Sequence, residues 1–425
     1  MQRLLRWLAA LPKRQALALA GALLALALAA SYPWVQAHGQ KAVWQAPFLS
    51  AAANLRWGGD FWVDNAQMLD FDAGDDLARQ DAYRFAPAPP GRAVWYPANE
   101  IGYVYWVWLA KHLFPFLGDQ AAIRLLQALV HIGLCLAVMS LAGMRGWRRW
   151  GFLALYGLNP LVLRFVTFNH YYFWQCLPAF ALVFLLALRG RHRGAGVYIA
   201  LALGGMVLGL CWLIRPTLVG LLAVVGALAL WQAYRDRLPW AGVGLGLTLG
   251  AGFLYSLLPP RPSQKIVWHS AYMGVGAYDN PFGVYLSDNA SYALYKRQTG
   301  ITLNGSVGGN LFDSTERARF KGVLEQEYKR IAAEAPGLVV YNTLRNGLQG
   351  LGIGYLGSRW WLGAALLGLA VAAYGFWRRR WWLLAGLAAN AATVSVLFPP
   401  IPAYVLGGYV LLAALFTLRP GPVEG

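Results

Sequence analysis

Ten runs of about 20 apolar residues, each closed by charge, proline or glycine, are what most restricts the folds open to this chain. They fall at 16–34, 120–143, 151–168, 171–188, 196–214, 217–233, 240–258, 355–376, 381–398 and 402–418. A helix needs about that length to cross the hydrocarbon core of a bilayer, where its backbone groups must be satisfied internally. The expected fold class is an all-α polytopic membrane protein with about 10 transmembrane helices. Hydrophobic residues make up 58% of the 425 and charged residues 13%, well under the roughly 25% charged of a soluble domain, which argues against a soluble enzyme.

Basic residues orient the runs. Lys and Arg number 36 against 18 Asp and Glu, a net charge of +18 that raises nucleic acid as a partner. With ten spans, however, Arg3, Arg6, Lys13, Arg14, Arg145, Arg148, Arg149, Arg189, Arg191, Arg193, Arg235, Arg237, Arg378, Arg379, Arg380 and Arg419 all lie on one side. That side has only Asp236 and Glu424 as acids. This is the positive-inside pattern, so the surplus reports topology, both termini are expected to be cytoplasmic, and no nucleic-acid partner is expected. The first run ends on Tyr32, Pro33 and Trp34 instead of a small-residue cleavage site, and reads as a retained anchor. Cys135, Cys176 and Cys211 all fall within runs, which points to packing and away from a disulfide framework.

Two long extracytoplasmic loops remain, at 35–119 and 259–354, and function is expected there. The first includes the aromatic segment 99–117, with Tyr103, Tyr105, Trp106, Trp108 and Lys111, read as a helix at the outer interface. It also carries Asp60 and Asp64 among Trp57, Phe61 and Trp62. Four residues apart, the two carboxylates would share a helix face, and aromatic surroundings would suit one of them to act as a base. Asp70-Phe71-Asp72 has the form of a metal-nucleotide motif without the accompanying nucleotide domain, and no metal is expected.

In the second loop, His269, Asp279 and Asn280 lie among aromatic residues and glycines, a composition that suits sugar or phosphate binding. Residues 313–335 read as a capped amphipathic helix. Arg215, in Leu213-Ile-Arg-Pro-Thr217, stands at the outer end of a run, where a guanidinium can clamp a phosphate. Asn169-His170-Tyr171-Tyr172 is placed to line the same cavity.

This layout resembles the GT-C superfamily of polyprenyl-phosphate-sugar-dependent glycosyltransferases, which includes protein O-mannosyltransferases and lipid A aminoarabinose transferases. The resemblance covers about residues 1–260. It rests on a first span, a large outer loop with an Asp, the Tyr96-Pro97 to Leu117 helix, Ala121-Ala-Ile-Arg124-Leu-Leu, Asn159-Pro160-Leu and Leu213-Ile-Arg215-Pro216-Thr217. Asp64-Asn65 stands where the family has an Asp-Glu pair, and Tyr96-Pro97-Ala98-Asn99 where it has His/Lys-Pro-Pro. The resemblance implies a bacterial inner-membrane enzyme with a GT-C-like module over 1–258, an outer region over 259–354 and terminal spans over 355–425. It implies transfer of one sugar from a polyprenyl-phosphate donor to a glycan, lipid or protein acceptor on the outer face, with no cofactor. Asp64 or Asp60 would be the base, Arg215 and Arg124 would hold the donor phosphate, and His269, Asp279, Asn280, His170 and Tyr96 would contact substrate. The rival readings are an O-antigen polymerase or ligase that uses a diphosphate donor, and a flippase of lipid-linked sugars.

Overall fold

The computed structural model describes residues 2–38, 45–55, 62–73, 77–95, 100–168, 171–188, 204–205, 207, 209–235, 267–304 and 309–419. Helices α1 (Gln2–Ala10), α2 (Lys13–His38) and α3 (Ala46–Ala53) come first. A short antiparallel strand pair, β1 (Trp62–Asp64) and β2 (Ala93–Trp95), brackets α4 (Asn65–Asp72) and α5 (Leu77–Ala82). Then follow α6 (Ile101–Leu113), α7 (Asp119–Leu141), α8 (Trp147–Phe152), α9 (Pro160–Thr167), α10 (Leu177–Leu188) and α11 (Val219–Arg235). A further group comprises α12 (Val267–Val275), α13 (Asp288–Thr299), α14 (Ser314–Glu334) and α15 (Pro336–Gly350), before α16 (Trp361–Trp377), α17 (Trp381–Ser395) and α18 (Leu406–Thr417).

Among the described residues, three helical stretches are long and apolar enough to cross a membrane: Lys13–Trp34, Asp119–Leu141 and Ser358–Trp377. Shorter apolar helices lie at Phe173–Ala187, Val219–Gln232, Trp381–Ala392 and Leu406–Thr417. The run at 240–258 and most of the first half of the run at 196–214 lie outside the described residues. Run 151–168 is not one helix. It passes from α8 through a π turn at Leu153–Gly157 and restarts at α9, because Pro160 cannot continue the ladder and Asn159 caps the new helix by accepting the Leu161 N–H at 3.0 Å. Fully buried polar side chains meet the carbonyls freed nearby: His131 Nε2 lies 3.0 Å from the Gly157 oxygen, and Gln127 Nε2 donates to the Val166 oxygen at 2.9 Å.

One apolar core joins α2, α3, α6, α7, α9, α10, α11 and α18. The arginine-rich turns gather at one end of this bundle. Trp150 donates to the Leu8 oxygen, Gly151 lies against Thr417, and the Arg380 guanidinium donates to the carbonyls of Leu418 and Arg419. Of the basic segments that the sequence assigned to one side, 189–193 and 236–237 lie outside the described residues. The three cysteines are free and buried. A second apolar cluster, including Tyr272, Leu294, Tyr295, Phe320, Leu324 and Ile331, holds α12, α13 and α14 together. As expected from the sequence, α14 is a capped helix: Asp313 accepts the N–H groups of Thr315 and Glu316.

Segment 99–117, described from residue 100, forms α6 and packs one face into the protein. Tyr103, Val104, Tyr105 and Val107 of α6 are buried, Trp106 stacks on Trp174 with centroids 4.0 Å apart, and Tyr103 donates its hydroxyl to Gln45. The helix is thus a core element, and Gly102 lets it approach closely: a Cβ there would sit 2.4 Å from the Leu210 carbonyl oxygen. Gly102→Ala is expected to lower stability by about 1–3 kcal/mol through this overlap, read as a drop in the thermal midpoint of the purified protein.

Candidate functional site

The strand pair fixes Asp64. Trp62, Val63 and Asp64 pair with Trp95, Val94 and Ala93, and α4 begins immediately after Asp64. Asp64 is therefore the N-cap of α4 and does not share a helix face with Asp60, which lies outside the described residues. Its Oδ1 accepts from Ala66 N at 3.0 Å and from Arg92 at 3.0 Å, its Oδ2 accepts from Gln67 Nε2 at 3.0 Å, and its own N–H donates to Ser50 Oγ at 2.9 Å. Burial opposes ionisation, but the hydrogen bonds from Gln67 and Arg92 outweigh it and hold the carboxyl below its usual range. A carboxylate so engaged is a structural anchor of the loop and a poor proton acceptor.

Asp72, at the other end of α4, has the opposite environment. Its Oδ1 is buried without a partner, and burial pushes the carboxyl up to about 6. The two residues give opposite linkage signs. Asp64, lowered on folding, contributes stability at pH values above about 4 and loses it as pH falls through its folded value. Asp72, raised on folding, lets stability fall as pH rises from about 4 to about 6. Thermal midpoints between pH 4 and 7 should show Asp64→Asn most damaging at pH 7, and Asp72→Asn most stabilising there with the gain vanishing near pH 4.

Arg124 forms a closed internal site. Its guanidinium makes a two-pronged pair with Asp81, at 3.0 and 2.7 Å, and lies 3.8 Å from the centre of the Tyr32 ring. Asp81 also accepts from Gln120 at 3.1 Å and from the Tyr32 hydroxyl. The expected phosphate contact of Arg124 is thus replaced by a protein carboxylate that ties α5 to α2 and α7. Nearby, Lys111 Nζ meets Asp119 at 2.6 Å, and Asp119 accepts the Phe85 N–H, which fastens the first loop to the α6–α7 turn.

Arg215 is held differently. It follows a helical stretch whose Cys211 carbonyl accepts its N–H, and Pro216 opens a single 3-10 turn before α11. The guanidinium lies 3.8 Å from the Tyr404 ring centre and 5.5 Å from that of Tyr171, and its Nη1 is buried without a partner. Tyr172 packs against both Tyr171 and Tyr404, with centroids 4.7 and 5.8 Å apart. Glu100, the residue before α6, is close enough for its charge to act on both Tyr171 and Tyr172. No carboxylate pairs with Arg215 among the described residues, so its charge is available to an anion. Tyr171 and Tyr172 stand where the sequence placed them, beside Arg215, while His170 and Tyr96 lie outside the described residues. Tyr404 and Glu100 were missed: neither has a local motif, and the fold brings them in from distant segments.

The second-loop residues have other employment. His269 Nε2 lies 2.8 Å from Asp288 Oδ1, and its ring packs on Tyr292 and Phe320 in the α12–α14 cluster. Asn280 makes all five of its hydrogen bonds within its own loop, to Val275, Tyr278, Phe282 and Val284. Asp279 is exposed. The loop still leans on the Arg215 region, since Met273 and Leu286 pack with Phe398, Ile401 and Tyr404. Among the described residues, no group of three His, Cys, Asp or Glu side chains is placed to hold a metal ion. Compared with known proteins, the chain matches no family model, no curated protein and no solved structure.

Proposed function

We propose that this protein is a membrane glycosyltransferase that moves one sugar from a polyprenyl-phosphate donor to an acceptor hydroxyl on the extracytoplasmic face. The observation that carries the reading is Arg215, a half-buried cation whose buried Nη1 has no partner among the described residues, framed by tyrosine rings with a carboxylate nearby. Tyr404 of the cluster lies just before α18, whose far end, Thr417, lies against Gly151 beside the basic turns. Positive-inside topology makes that end cytoplasmic and the Arg215 cluster extracytoplasmic.

Chemically, a single inverting displacement needs a base and a stabilised leaving group. The acceptor hydroxyl gives its proton to a carboxylate as its oxygen bonds to the anomeric carbon. The carbon–oxygen bond to the phosphate breaks as the new bond forms, and the phosphate leaves with one more negative charge, which Arg215 stabilises. Asp64 is engaged by its cap and Arg92, and the proton is assigned to Glu100, whose charge acts on the tyrosines around Arg215. Tyrosine faces and hydroxyls suit a sugar ring and its hydroxyl groups. Asp64 and Arg124 support the loop.

Glu100→Gln should therefore abolish transfer while leaving the binding of undecaprenyl phosphate unchanged, with a rate loss of about 100-fold or more. Arg215→Gln should weaken that binding by about tenfold or more, and Arg215→Lys should restore part of it. Binding is read from the thermal shift on adding undecaprenyl phosphate to purified protein. Transfer is read from the mass of the surface glycan in cells carrying each variant. Unaltered glycan in Glu100→Gln cells would remove Glu100 from the mechanism, and unaltered binding in Arg215→Gln would remove the phosphate clamp.

A further inference from the structure

Helices α14 and α15 are consecutive but have opposite polarity. On α14 the buried side chains are apolar, Phe320, Leu324 and Ile331, while the exposed side carries ion pairs such as Lys329 with Glu325 and Arg330 with Glu327 and Glu334. This is a water-facing helix. On α15 the arrangement is inverted. Val340, Tyr341 and Leu344 are 59%, 46% and 61% exposed, whereas Asn342, Asn346 and Gln349 are 6%, 3% and 0% exposed. The three amides recur at i, i+4 and i+7 and so share one face, with Val340 and Leu344 on the opposite one.

Contacts to its neighbours give α15 a direction. Thr343 and Asn346 donate to the carbonyls of Val396 and Ser395, and Gly350 abuts Ala391, so α15 runs antiparallel to α17. Tyr341 and Arg345 meet Trp361, while Gly368 lies against the Leu348 carbonyl, so α15 runs parallel to α16. α16 belongs to a stretch long and apolar enough to span a bilayer. From the level of Trp361 to that of Gly368 is about 10 Å of helix rise, roughly a third of the hydrocarbon thickness.

We infer that α15 is a re-entrant helix: it enters the outer leaflet beside α16, stops about a third of the way across, and returns through residues 351–360. Its exposed face meets lipid acyl chains, continuous with Leu362, Leu366 and Leu369 on α16, which are 55%, 57% and 47% exposed. The inference uses the proposed membrane orientation but not the proposed chemistry. Irregular backbone is tolerated at membrane depth only where protein satisfies it, and the returning segment meets that condition. Gly354 N–H donates to the Gln349 oxygen, Tyr355 N–H to the Pro400 oxygen at 2.8 Å, and the Tyr409 hydroxyl to the Ile353 oxygen at 2.8 Å. The polar face lines a small cleft between α12, α15 and Val396–Leu397, where the buried Asn342 Oδ1 has no partner among the described residues.

The test is a depth profile of the full chain in phosphatidylcholine vesicles. Nitroxide labels at Val340→Cys, Leu344→Cys and Lys321→Cys are compared by collision with oxygen, which partitions into lipid, and with a water-soluble nickel chelate. The unsubstituted chain, whose cysteines are buried, gives the background. Lys321 should favour nickel, Leu344 oxygen, and Val340 should lie between them. Nickel access at Leu344 equal to that at Lys321 would overturn the inference, as would a label there that meets neither reagent because a second copy covers it. On the unsubstituted chain, a lipid-soluble carbene probe should modify peptide 337–350 and spare 314–334. The reverse pattern would overturn the inference independently of any variant.

Discussion

Inside an apolar bundle, every break in a helix leaves amide and carbonyl groups that must find partners, and this constraint governs the rest of the structure. The chain breaks often, at Leu153–Gly157, at Pro216 and between Ser395 and Leu406. Buried polar side chains, His131, Gln127, Gln349 and Tyr409 among them, lie at or beside these interruptions and take up backbone carbonyls. Such breaks let short helices end below the surface and open space between them. Arg215, Tyr171 and Tyr404 all lie in segments where a helix has stopped.

Arg92 of the first loop and Arg124 of α7 illustrate, beside Arg215, how the same side chain can serve structure or chemistry. Arg92 lies against Asp64, and Arg124 is matched by Asp81 in a fork that leaves little for a ligand. Arg215 lies against the rings of Tyr404 and Tyr171, bonds the Tyr404 hydroxyl, and has one buried nitrogen without a partner among the described residues. A desolvated cation of that kind attracts an anion more strongly than a paired one, which is why the proposed phosphate site centres on Arg215.

Much of the fold was legible in the sequence, because apolar runs and basic turns are local signals. The helices Lys13–Trp34 and Asp119–Leu141, the Asp313 cap and the meeting of arginine-rich turns could be read from residue order. Partners could not. Asp64 looked like a desolvated base because its aromatic neighbours were visible while Arg92 and Ser50, which engage it, were not. Periodicity also shows that a helix has two faces without showing which one meets water. Residues 336–350 therefore read as part of an outer loop, although the amide face is the buried one. Tyr404 was beyond reach, since nothing near Ile401-Pro-Ala announces a residue that will lie on Arg215.

The central claim is that the lipid consumed is a polyprenyl monophosphate sugar and that Arg215 holds the phosphate it leaves behind. The most direct test incubates the purified protein with a lipid and glycan extract from cells that lack it, and follows the lipids by mass spectrometry. One undecaprenyl monophosphate should be released for each sugar gained by a glycan, and none with Arg215→Gln. Release of undecaprenyl diphosphate, or sugar transfer that persists in Arg215→Gln, would contradict the claim.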